Sequence, residues 1–158
     1  MISEGKTLTH DDIRNRITPP GAFAAEGPGH KSAQKPPRTV LVIEDDNSYR
    51  SLLTLLLTQR GYQVREAEDG LEGLNILQTS PVDMALVDFD LPLLHGLEVV
   101  RRLRQQQKFR ELPIVMMTSY GRRVHDSAIT AGCDEFLVKP IDFHELDGVL
   151  QRFAPNAG

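Results

Sequence analysis

Four apolar runs in this 158-residue chain end in polar side chains of complementary chemistry. Thr39-Val40-Leu41-Val42-Ile43 runs into Glu44-Asp45-Asp46, and Met84-Ala85-Leu86-Val87 runs into Asp88. Pro113-Ile114-Val115-Met116-Met117 ends in Thr118, and Glu135-Phe136-Leu137-Val138 ends in Lys139. As strands of one parallel sheet these runs would bring their ends to a single edge, where ligands of open α/β sheets bind. One site would then hold three carboxylates (Glu44, Asp45 and Asp88), a hydroxyl and an ammonium. Carboxylates a few ångströms apart repel one another unless a proton or a cation intervenes. Oxygen-only ligation suits a hard ion, and Mg²⁺ takes a few carboxylates together with water and phosphate oxygens. A carboxylate beside such an ion can act as a nucleophile toward phosphorus. The ion then holds and neutralises the phosphoryl oxygens. Asp88, followed by the turn Phe89-Asp90-Leu91-Pro92, is the candidate acceptor. Lys139 can pair with it at rest and with a phosphoryl oxygen afterwards, and Thr118 can donate to the same group. Each residue alone has an ordinary explanation, as a helix cap, a solvated lysine or a turn threonine. Their joint occurrence, in order, at successive strand ends carries the reading.

The elements that would position these groups alternate regularly. After the first strand, Leu52, Leu53, Leu55, Leu56 and Leu57 give helical spacing from about residue 48 to 60, with Gly61 placed to end the helix. Residues 62–67 read as a second strand. Asp69 can cap a helix over residues 70–78, closed by Ser80-Pro81. A third helix spans residues 96–106, burying Leu97, Val100 and Leu103 and exposing Arg101, Arg102 and Arg104. A weak, polar fourth helix covers 124–131 before Gly132, and a last one runs from 142 to 153. Five strand–helix pairs in alternation predict a doubly wound parallel sheet with helices on both faces and right-handed crossovers. Continuous apolar strands are the mark of a sheet covered on both sides.

Composition narrows the classes. With 40% hydrophobic residues the chain has material for a core. Its net charge of −4 gives no general affinity for nucleic acid or anionic membrane. No apolar run approaches a membrane span. The N-terminus has no signal-like segment, which predicts a cytoplasmic protein. Cys133, the single cysteine, cannot form an internal disulfide or build a metal site alone, and reads as inert packing. Residues 1–37 hold five of the ten prolines and read as a flexible extension. Within it Thr9 has the chemistry to cap a short helix over 9–17, with Leu8 and Ile13 spaced as a hydrophobic staple. Residues 155–158 read as a disordered tail. The arginines of the third helix lack aromatic interleaving and read as a solvated face, so no direct DNA binding is expected.

The stretches Val40–Asp46, Leu86–Pro92, Ile114–Ser119 and Phe136–Pro140, with Ala131-Gly132 and the Gly96-Leu97 helix start, resemble the receiver domain of two-component response regulators, the CheY-like family. The resemblance covers residues 38–153 and implies a receiver domain over 38–154 with flavodoxin-like strand order 2-1-3-4-5. It implies that Asp88 takes a phosphoryl group from a sensor histidine kinase or a histidine phosphotransfer protein. It implies Mg²⁺ bound by Glu44, Asp45, Asp88 and the backbone carbonyl of Asp90, and a phosphoryl group bound by Thr118 and Lys139. Thr118 would move toward that group and Phe136, at the aromatic switch position, would turn inward. The face formed by helix 4, strand 5 and helix 5 would change and meet a downstream protein target. A cis bond between Lys139 and Pro140 is also implied. Alignment through Arg50 leaves Asp46 as a helix cap rather than a ligand.

The sequence departs from the family in the loop Leu93-Leu94-His95-Gly96, where a Met-Asp pair usually precedes the glycine. His95 replaces an acid near the rim, more simply as a loop residue than as a ligand, and would make signalling mildly pH-dependent if it titrates near neutrality. The resemblance also implies that Asp90 and Tyr120, two residues beyond the acceptor and the threonine, set access of the hydrolytic water. The leading expectation is a stand-alone receiver, since no output domain follows residue 153. Such a protein is not an enzyme toward other substrates and catalyses only its own phosphotransfer and autodephosphorylation. The alternative is a phosphorylation-independent interaction module, or a phosphate sink, on the same fold. A nucleotide- or flavin-binding protein is disfavoured because neither GxGxxG nor GxxxxGK[ST] occurs. A haloacid-dehalogenase-type phosphatase would need its DxD at the first strand.

Overall fold

The strand side chains alternate between two cores, which is why the runs are apolar without a polar beat. In this computed structural model, which describes residues 35–156, the order along the chain is β1 (Thr39–Ile43), α1 (Asn47–Gln59), β2 (Gln63–Ala67), α2 (Gly70–Thr79) and β3 (Met84–Asp88). There follow α3 (Gly96–Arg104), β4 (Ile114–Thr118), α4 (His125–Ala131), β5 (Glu135–Val138) and α5 (Phe143–Phe153). All strand pairs are parallel and the sheet order is β2-β1-β3-β4-β5, the flavodoxin-like arrangement. Leu41, Ile43, Ala85, Val87, Ile114 and Met116 face a core closed by α2, α3 and α4. Val40, Val42, Leu86, Val115 and Met117 face the opposite core, closed by Leu53 and Leu57 of α1 and by Leu146, Val149 and Leu150 of α5.

Caps set the helix starts. Asp46 accepts from Tyr49 N at 2.7 Å and so caps α1, and Asp69 accepts from Glu72 N at 2.8 Å at the head of α2. Asp142 caps α5 through His144 N and Glu145 N. Gly61 and Gly132 adopt positive φ after α1 and α4, as helix-ending glycines do.

Several expectations are corrected. Of the α1 leucines, only Leu53 and Leu57 are fully buried, while Leu52 and Leu55 face solvent. Helix α3 stops at Arg104 rather than 106 and gives way to a short 3-10 turn over Gln107–Phe109. The segment before α4 is likewise a 3-10 turn, Gly121–Val124. Val99 joins the buried face of α3, and Leu97 is only half-buried. Arg104 is not solvated with Arg101 and Arg102, since its side chain is only 19% exposed and is bonded to several backbone carbonyls. Within the tail expected at 155–158, Asn156 is tied to the domain, accepting from Arg38 N at 3.1 Å and donating to Arg60 O at 3.2 Å. Residues 157–158 lie outside the described residues, as does the extension up to residue 34 with its short helix over 9–17. Cys133 is buried, and burial pushes its thiol up to about 12, in line with inert packing.

Candidate functional site

The C-terminal ends of β1, β3, β4 and β5 bring Glu44, Asp45, Asp88, Thr118 and Lys139 to one edge, as expected. Glu44, Asp88 and Thr118 are buried while Asp45 is exposed at the mouth. One carboxylate oxygen from each of Glu44, Asp45 and Asp88 lies within 4.8 Å of the others. Lys139 Nζ contacts Asp88 Oδ1 at 3.0 Å and Glu44 Oε2 at 2.5 Å. The Lys139-Pro140 bond is cis. The second oxygen of Glu44 accepts from Asp46 N at 3.1 Å, so its carboxylate is fixed from two sides.

The electrostatics match this crowding. Burial, and then the charge of Glu44, raise the Asp88 carboxyl to about 6, more than Lys139 offsets. Burial pulls the Lys139 ammonium down, but its hydrogen bond to Glu44 and the nearby Asp88 carry it above its ordinary value. A site with three clustered carboxylates, one lysine and an open mouth carries surplus negative charge. It therefore fits a hard divalent cation with oxygen ligands. Glu44, Asp45 and Asp88 are placed to hold it, with the Asp90 carbonyl two residues further along the β3–α3 loop.

Thr118 accepts from Tyr120 N at 3.0 Å, which leaves its hydroxyl hydrogen free to donate toward the site. A hydrogen bond to Asp90 raises the Tyr120 hydroxyl above its usual value. The Phe89 ring meets the His95 ring edge-on at 4.5 Å and the Tyr120 ring at 5.6 Å. His95 caps α3, its Nδ1 accepting from Leu97 N at 3.3 Å, and its Nε2 stands 4.0 Å from Asp90 Oδ1. His95, Phe89, Tyr120 and Asp90 thus form one rim of the mouth. Phe136 is half-buried in β5, where it pairs with Met116, and its ring lies 4.9 Å from that of His125. In the loop that departs from the family, Leu93 has φ 65° and is 79% exposed.

Two residues near the site carry roles that motif reading did not supply. Tyr49 places its ring 4.7 Å from Lys139 Nζ and accepts from Ile141 N at 3.1 Å. Arg50, used only to align the acids, is buried and donates to the Glu44 carbonyl at 2.7 Å. The signal was present: Arg50, Leu53 and Leu57 have the spacing of one helix face, so the arginine stands on an apolar stripe.

The model of the response regulator receiver domain family matches residues 40–151. A response regulator, MprA, of Mycobacterium sp. (strain KMS) is 36% identical over 129 residues, spanning 77% of this chain and 54% of that protein. A response regulator from Chloroflexus aurantiacus superposes with a TM-score of 0.71 at 31% identity, covering 74% of this chain and 97% of that one. The receiver domain of sensor histidine kinase PA1611 from Pseudomonas aeruginosa, described with magnesium coordinated in its active-site cleft, gives 0.69 at 28% identity, covering 74% of this chain and 97% of that domain. The fold is that of a receiver. This chain belongs to the response regulator receiver family. It spans about half the length of the curated relatives it matches. Among the described residues no helix is long and apolar enough to cross a membrane.

Proposed function

We propose that Asp88 is the phosphoacceptor of this chain, taking a phosphoryl group from the phosphohistidine of a sensor histidine kinase or histidine phosphotransfer protein. The observation that carries this reading is the placement of Lys139 Nζ 3.0 Å from Asp88 Oδ1, within a cluster of three carboxylates. An Asp88 oxygen attacks phosphorus, the P–N bond breaks and the donor imidazole leaves, so that Asp88 becomes an acyl phosphate. Bound Mg²⁺, held by Glu44, Asp45, Asp88 and the Asp90 carbonyl, would supply charge neutralisation at the phosphoryl oxygens. Lys139 exchanges its contact with Asp88 for one with a phosphoryl oxygen, and the Thr118 hydroxyl donates to another. Asp90 and Tyr120 control approach of the water that later cleaves the acyl phosphate. The protein acts on no other substrate; it catalyses only its own phosphotransfer and autodephosphorylation.

The output is a protein contact on the face of α4, β5 and α5. Supporting this, a groove of about 540 Å³ opens there, lined by Arg122, His125, Glu135, Phe136, Val149 and Arg152 among others. Thr118 pairs with Val138, two residues from Phe136 on the same strand, so a shift of the β4 end is felt directly in β5. Phe136 turning inward would reshape the groove, a population shift driven by the new contacts of Thr118 and Lys139. Acetyl phosphate with Mg²⁺ is expected to label the wild-type protein, and Asp88→Asn to abolish labelling, read by phosphate-affinity electrophoresis or intact mass. Labelling that survives the substitution would refute the assignment.

A further inference from the structure

Arg50 has no part in the phosphoryl chemistry above, yet its guanidinium is committed to the loop that carries the acids. Its side chain is only 7% exposed. Nη1 donates to the Glu44 carbonyl at 2.7 Å, in a bond that is itself buried. Nη2 donates to Asn47 Oδ1 at 2.9 Å, in the first turn of α1. The remaining contacts are looser: Nε stands 3.5 Å from Glu66 Oε1 and Nη2 3.4 Å from Glu68 Oε1. Those two acids are 44% and 74% exposed.

Exposed pairs at such distances contribute little. Burying a guanidinium for them alone would be a poor exchange, because desolvating a charge costs more than a screened pair returns. The short, buried bond to the Glu44 carbonyl is the strong one, a charge-assisted bond to an oxygen at the point where β1 turns into the loop. The preceding peptide plane is held as well, since Glu44 N donates to Ala67 O at 3.0 Å. The backbone that bears Glu44 and leads into Asp45 is therefore pinned on both sides, by β2 and by Arg50.

We propose that Arg50 is a positioning residue for the cation site, fixing the Glu44-Asp45 backbone so that both carboxylates face Asp88. The proposal rests on the reading of Glu44, Asp45 and Asp88 as the Mg²⁺ ligands. Groups that orient metal ligands from behind typically change metal affinity about 10- to 100-fold when removed. Arg50 does this through the main chain, where a lysine, with one compact ammonium, cannot reproduce the fork that spans Glu44 O and Asn47 Oδ1.

The test is a Mg²⁺ titration of the full chain followed by ¹H–¹⁵N NMR, comparing wild type with Arg50→Met and Arg50→Lys. Methionine keeps the bulk on the apolar stripe and removes the donors. The Mg²⁺ dissociation constant of Arg50→Met is expected to rise about 10-fold or more, and that of Arg50→Lys by a smaller factor. Acetyl phosphate labelling should then need proportionally more Mg²⁺ but reach the wild-type maximum when Mg²⁺ saturates. Thermal melts in EDTA separate this from a loss of stability alone. A destabilised Arg50→Met with unchanged Mg²⁺ affinity overturns the proposal. If Arg50→Met does not fold, an Arg50→Lys protein with wild-type affinity overturns it equally. Wild-type protein that binds no Mg²⁺ instead removes the cation reading itself, and the proposal with it.

Discussion

Asp88 holds its proton more tightly than an ordinary aspartate when no cation is present. Burial and Glu44 raise its carboxyl from 3.8 to about 6. A carboxyl whose folded-state value is raised binds its proton more tightly in the fold than in the unfolded chain. The stability this gives is complete below about pH 4 and is lost as pH rises through about 6. A shift of about two units corresponds to roughly 3 kcal/mol lost by pH 7.5 in metal-free protein. Asp88→Asn removes the titrating group and leaves Lys139 its contact with Glu44. In EDTA at pH 7.5 the variant should therefore melt above wild type, by on the order of 10 °C. At pH 4 the gap should close. A gap of equal size at both pH values would show that the substitution acts through something other than this charge. Asp88, Thr118 and Lys139 were legible in the sequence because each ends an apolar run, where a polar side chain has few reasons to be. The role of Arg50 was not, because its spacing with Leu53 and Leu57 places it on the buried face without showing what the guanidinium bonds. Its carbonyl partner is invisible to residue types altogether.

Strands β1, β3 and β4 were readable because burial on both sheet faces leaves no polar beat to confuse the pattern, while the strand order came with the family resemblance. The helix ends were less so, since a 3-10 turn follows the end of α3 and another precedes the start of α4. Side-chain periodicity does not register such turns. What fixes the start of α3 is the close approach of Gly96, whose N donates to Phe89 O at 3.2 Å. A Cβ added at Gly96 would lie 2.2 Å from the Asp88 carbonyl oxygen. The obstacle is backbone, which cannot swing aside as a side chain would. Gly96→Ala should lower stability by about 1–3 kcal/mol despite the better helix propensity of alanine. Labelling by acetyl phosphate should slow, because the main chain of the acceptor must shift. Gly148, inside α5, meets nothing within 4 Å of such a Cβ, so Gly148→Ala should instead stabilise by up to about 1 kcal/mol. Chemical denaturation of both variants checks the pair, and equal stability of Gly96→Ala and wild type would remove the close-approach argument.

On the scale of the whole molecule the sheet has two working edges. The C-terminal edge carries the site, and the N-terminal edge is tied together by Arg104. Its Nε donates to Gly132 O at 2.8 Å, and its Nη1 to Phe109 O at 2.6 Å and Leu112 O at 2.9 Å. Its Nη2 bonds Asp134 Oδ2 at 2.9 Å, an oxygen that also accepts from Ile114 N at 2.8 Å. One guanidinium thus joins the end of α3, the approach to β4 and the turn between α4 and β5. Sequence reading grouped it with Arg101 and Arg102, because spacing alone cannot say that a carbonyl cluster waits at the end of α3. The structure divides the group: the Arg102 side chain is 48% exposed and pairs with Glu98 along the helix. Arg104→Met keeps the stem and leaves several carbonyls without their charged donor. It should cost about 2–4 kcal/mol, since hydrogen bonds to charged groups contribute about 1.5–3 kcal/mol each and partial exposure reduces their sum. Arg102→Met should stay within about 0.5 kcal/mol of wild type, as exposed helix pairs do. Because Arg104 acts at the edge opposite Asp88, Arg104→Met should label with acetyl phosphate at the wild-type rate well below its melting temperature. Equal denaturation midpoints for the two methionine variants, or a labelling defect in folded Arg104→Met, would contradict the division of the two edges into one that signals and one that holds.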